Sequence, residues 1–122
     1  MSEEFTFPEY RELTDAERKL LEWLIANGTD DAPAYAAQLS DAKVVGGCRC
    51  GCPSLDLAIG EKRSRTQGFS TVLAEAGGHS PEGVPLIIIL HACEGEISLL
   101  EVVSTDETQK FSLPTPEMID EI

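Results

Sequence analysis

Positive charge is what this 122-residue chain has least of: nine Lys and Arg stand against 22 Asp and Glu, for a formal net charge of −13. Such a surface repels a phosphate backbone, which excludes general nucleic-acid binding and makes a basic protein the complementary partner. Long apolar runs are missing as well. The longest, Val84 to Cys93, is interrupted by Pro85 and His91. It falls well short of the roughly 20 residues that a membrane-crossing helix needs, so no membrane partner is expected. The opening stretch Met1 to Tyr10 lacks a basic start and an apolar core and carries Glu3, Glu4 and Glu9. It does not read as a secretory signal, and the expectation is a cytoplasmic chain with reduced thiols. Also absent are a Gly-x-Ser-x-Gly elbow, a phosphate loop, a His-Glu-x-x-His zinc motif and a dinucleotide fingerprint, which argues against an enzyme.

What is present reads as one globular α+β domain over residues 1–122, since 42% hydrophobic and 25% charged residues leave enough apolar surface for a core. Residues 1–12 read as an irregular lead-in, from which Phe5, Phe7 and Tyr10 can dock. Thr14-Asp15-Ala16-Glu17 has capping-box spacing and predicts a helix over about 15–27, with Leu20, Leu21, Leu24 and Ile25 on one stripe and Gly28 closing it in left-handed geometry. A second helix is predicted from Ala32 to Leu39, with Pro33 in its first turn.

From Lys43 the pattern changes to short apolar runs between Gly-containing connections, the mark of strands. The runs are Val44 to Cys50, Ser54 to Ile59, Phe69 to Glu75, Pro85 to Ala92 and Ile97 to Ser104. Cys93-Glu94-Gly95-Glu96 predicts a tight turn joining the last two as an antiparallel hairpin. The architecture expected is two N-terminal helices on one face of a four- or five-stranded, mainly antiparallel sheet, with Leu20, Leu24 and Ile25 buried against Leu57, Val72, Ile87 and Leu99. Residues 114–122 form a tail in which Thr115-Pro116-Glu117 opens a helical turn and Met118, Ile119 and Ile122 return to the body.

Charge is unevenly spread. Residues 43–68 are the one basic segment, with five Lys and Arg against two acids, and they hold Cys48, Cys50 and Cys52 together with the run Glu61-Lys62-Arg63-Ser64-Arg65. Lys62, Arg63 and Arg65 read either as a solubilising hairpin tip or as a contact for a partner or small anion. Cys48, Cys50 and Cys52 alternate, so a flat strand would hold their Cβ atoms about 7 Å apart on one face, too far for sulfurs around one tetrahedral ion. Only Gly51 and Pro53 can bend the backbone enough to gather them. Three readings of the cluster stand open: small buried hydrophobes, a zinc or iron site in which Cys93 supplies a fourth sulfur and His91 or His79 a nitrogen, and a redox group favoured by Arg49. Both histidines read as structural residues, and Glu94, Glu96, Glu101, Asp106 and Glu107 as solvated or strand-edge charges.

Tyr10-x-x-Leu13-Thr14-x-x-Glu17, Leu20-Leu21-x-Trp23-Leu24, Gln38-Leu39, Cys50-Gly51-Cys52, Gly83-Val84-Pro85 and Gly95-Glu96-Ile97-x-x-Leu100-Glu101-Val102 together span most of the chain. In their order they resemble a loose group of small uncharacterised bacterial α+β domains. That resemblance implies an immunity-like or other protein-binding role and carries no catalytic residues. The functions expected are therefore a non-enzymatic acidic binding module or, as the alternative, a cysteine-ligated metal-binding domain.

Overall fold

The computed structural model describes residues 6–48, 53–59, 70–104 and 111–121, of which 6–10, 48, 70 and 121 are described by their backbone alone. Helix α1 (Asp15–Asn27) starts where the capping box requires. The Glu17 amide donates to Thr14 Oγ1 at 3.1 Å and the Thr14 amide donates back to Glu17 Oε1 at 2.9 Å. Arg11 grips the same carboxylate through two 2.9 Å hydrogen bonds. Burial alone would push the Glu17 carboxyl up, but the Arg11 guanidinium and the Thr14 donors outweigh it and hold the group below its ordinary value. Leu20, Leu21, Leu24 and Ile25 are all buried, as their spacing predicts.

The close of α1 differs from expectation. Gly28 has φ −87°, outside the left-handed region, so positive φ is not its purpose. A Cβ there would collide with the Leu73 carbonyl oxygen, and the Thr29 amide donates to that oxygen at 2.8 Å. Glycine lets the helix end press against a strand backbone. The next segment, Ala32–Asp41, is helical but of 3₁₀ type. It buries only Ala32 and Leu39, which gives no continuous α-helical stripe to anchor on the core.

Among the described residues seven strands follow or flank these helices: β1 (Thr6–Glu12), β2 (Ala42–Cys48), β3 (Leu55–Ile59), β4 (Ser70–His79), β5 (Pro85–Cys93), β6 (Glu96–Ser104) and β7 (Ile119–Glu121). They form one antiparallel sheet in the order β1-β2-β3-β6-β5-β4-β7. Two meanders, β1-β2-β3 and β4-β5-β6, are joined where β3 pairs β6. The sheet exceeds the four or five expected strands by its two edges. Within the expected lead-in Thr6–Glu12 form β1, and after a 3₁₀ turn over Pro116–Met118 the tail adds β7 beside β4. Both gain strand structure from hydrogen bonds to partners distant in sequence, which no local pattern reveals.

The β5–β6 turn is as predicted, with Glu94 at φ 55° and Gly95 at φ 83°, both in the left-handed region of a tight hairpin. Gln38 clamps it. Its Nε2 donates to the Gly95 carbonyl at 2.8 Å, and its Oε1 accepts from the Ile97 amide at 2.9 Å, tying the 3₁₀ segment to the hairpin. Extra residues Val45, Leu73 and Ser98 interrupt the pairing of β2, β4 and β6 as bulges, which bend a sheet.

The helices and one sheet face enclose a single cluster: Leu20, Leu21 and Leu24 with Val44, Leu55, Leu57, Leu73, Ile88, Leu90, Leu100 and Val102. Leu57 is there as expected. Val72, Ile87 and Leu99 are not: Val72 is 41% exposed, Ile87 36% exposed and Leu99 half-buried. Side chains alternate along a strand, so each residue one place from a core position faces the other way.

Candidate binding face

The three displaced residues share the face turned away from the helices. In register across that face run Asp56, Leu99, His91 and Val72, each paired with the next. Two positions along, Glu101 pairs Ile89 and Ile89 pairs Glu75, and beyond these Val103 pairs Ile87. The face closes toward the β5–β6 turn, where Ala58 and Cys93 are buried outside the main core cluster. It opens across β4 and β5, where Val72, Glu75 and Ile87 are exposed.

No Lys or Arg lies on β3, β4, β5 or β6. Lys43 of β2 stands 3.9 Å from Glu12. The carboxylates of the face are held differently. Asp56 is half-buried, and loss of hydration pushes its carboxyl above the ordinary value. Glu101 Oε1 lies 2.9 Å from His91 Nε2. A carboxylate oxygen accepts, so Nε2 carries the proton, and Nδ1 is left buried with no hydrogen-bond partner among the described residues. Glu75 is exposed. An apolar floor studded with acids can bury the aliphatic stems of cationic side chains and pair their charged ends.

The sequence-derived candidates are only partly gathered. Cys50, Cys52, Lys62, Arg63 and Arg65 lie outside the described residues. The backbone of Cys48 ends β2 opposite Thr6, whereas Cys93 ends β5, between Ser70 and Glu96. Following the register Gly47–Leu55–Leu100–Leu90, Cys93 sits three strand spacings across and four positions along from Cys48, roughly 14 Å one way and 13 Å the other. The backbones of Cys48 and Cys93 thus stand well apart, and of the expected metal set Cys48, Cys50, Cys52 and Cys93 only Cys93 has its side chain among the described residues. His91 is engaged by Glu101, and His79, at the end of β4, is 3.9 Å from Asp120. Among the described residues no group of three or more His, Cys, Asp or Glu could hold a metal ion.

A groove of about 600 Å³ separates α1 from the 3₁₀ segment, lined by Arg18, Ile25, Pro33, Ala36, Ala37 and Leu39 among others. Arg18 Nη1 donates to the Leu39 carbonyl at 3.0 Å, which joins the two walls. The mixed face was missed by sequence reasoning because Leu86-Ile87-Ile88-Ile89-Leu90 is apolar throughout and gives no parity. The usable signal was His91 and Glu101, polar residues on neighbouring strands of the predicted hairpin. Among described residues no helix is long and apolar enough to cross a membrane. No family model, curated protein or solved structure matches the chain.

Proposed function

We propose that this chain is a non-enzymatic binding module for a basic protein, immunity-like in that it would neutralise the partner it binds. The observation that supports this reading is the charge pattern: −13 overall, with four central strands free of Lys and Arg and Asp56, Glu75 and Glu101 set among apolar side chains on one face. Complementary charge speeds encounter and penalises acidic competitors, while the apolar residues supply contact area. The test is affinity capture from a lysate of the organism that makes the chain, at ionic strengths of about 0.05 M and about 0.5 M, with binding then measured between purified components. A basic protein held tightly at the lower ionic strength and more weakly at the higher one is the expected result. Retention of no basic protein at either ionic strength would overturn the reading.

A further inference from the structure

Val72 and Ile87 are the large apolar side chains most open to solvent among the described residues, and both lie on the sheet face opposite α1. Between their rows Glu101, Ile89 and Glu75 stand side by side on β6, β5 and β4. The two carboxylates are therefore two strand spacings apart, about 10 Å, with an apolar side chain midway. Positions i and i+7 of an α-helix are separated by about 10.5 Å along its axis and share one face, and positions i+3 and i+4 lie between them on the same face.

We infer that this face docks a basic amphipathic helix of the partner protein, laid across β4, β5 and β6 with cations at i and i+7 against Glu101 and Glu75 and apolar residues at i+3 and i+4 over Ile89. The inference rests on the basic-partner reading above and names the surface and the element that would use it. A helix uses a sheet's face, as α1 does on the other side, whereas an extended strand pairs through its backbone with an edge. A second copy of this chain would bring Asp56, Glu75 and Glu101 against the same three carboxylates, so the occupant must be cationic. Glu101 can engage it without releasing His91, because that bond uses Oε1 and leaves Oε2 able to accept.

The test uses the full chain and a synthetic helical peptide of about 18 residues with Lys at i and i+7 and Leu at i+3 and i+4. A scrambled peptide of identical composition and a version with Glu in place of Lys are the controls. In an NMR titration the expected shifts centre on residues 72, 75, 87, 89, 99 and 101. Glu75→Lys and Ile87→Lys should each weaken binding about ten-fold, with unchanged circular dichroism showing that both variants fold. Absence of binding, equal binding of the scrambled peptide, shifts centred on the groove between α1 and the 3₁₀ segment, or undiminished binding by Ile87→Lys would each overturn the inference. A captured basic partner that binds wild type and the Glu75→Lys/Ile87→Lys double variant equally would overturn this docking face and leave the basic-partner reading standing. Failure of both the peptide and the capture would overturn both.

Discussion

Replacing Gly28 by Ala adds one methyl group at the place where α1 meets the sheet. Its φ of −87° lies outside the left-handed region, so positive φ is not the obstacle. The obstacle is space: the new Cβ would collide with the Leu73 carbonyl oxygen, lie 2.8 Å from the Leu24 carbonyl oxygen and 3.0 Å from Ala74 Cβ. Two of these are backbone atoms, one in the bulge of β4 and one in the last turn of α1. Neither can rotate away, so the helix end must withdraw and the Thr29–Leu73 hydrogen bond, 2.8 Å long, must stretch or break. Overpacking costs about 1–3 kcal/mol, and a lost bond at a buried backbone group adds about 1 kcal/mol. Reduced freedom of the unfolded chain returns about 0.4–1 kcal/mol. The net expectation is a destabilisation of roughly 1–3.5 kcal/mol, read as a lower urea midpoint at unchanged m-value, together with faster hydrogen exchange at the Thr29 amide. A loss under about 0.5 kcal/mol, or unchanged Thr29 protection, would refute the close-approach account.

The assignment of faces is checked by a pair of neighbours: Ile88→Ala should cost about 2–5 kcal/mol, whereas Ile87→Ala, on the open face, should cost well under half as much in the same denaturation assay. Gln38→Ala removes both bonds to the β5–β6 hairpin and should lower stability by about 1–3 kcal/mol, while Gln38→Glu, which keeps the acceptor and loses the donor, should fall between it and wild type. Asp56 has its folded-state carboxyl pushed above 3.8 by burial, so its ionisation opposes folding as pH rises from that ordinary value through the raised one. Asp56→Asn should accordingly raise the melting temperature at pH 7, and the gain should vanish below about pH 3.8, where the native side chain is already neutral; an equal gain at both pH values would contradict the burial effect.

Much of the fold was legible because its signals are local. Thr14 and Glu17 mark the start of α1 through hydrogen bonds that close within one turn, and Glu94-Gly95 marks the hairpin because few residues accept positive φ. The strands from β2 to β6 lie within two or three residues of the predicted runs at most ends; β4 instead extends to His79. The edges β1 and β7 were not legible, since each is a strand only by virtue of β2 or β4 beside it. The candidate face was the least legible part. Val72, Ile87 and Leu99 have the chemistry of core residues, and the choice between faces depends on parity that an unbroken apolar run such as Leu86–Leu90 leaves undetermined.

By itself the sequence determined the scarcity of cations, the place of α1, the central hairpin and an α+β class with an antiparallel sheet, because composition and short-range hydrogen bonding need no knowledge of the rest of the chain. Only the tertiary structure decided which side of each strand meets the helices, that Cys93 stands across the sheet from Cys48, and that Glu101, Ile89 and Glu75 form one row. Those relations belong to strand register, which is set by bulges at Val45, Leu73 and Ser98 and by packing between residues far apart in the chain.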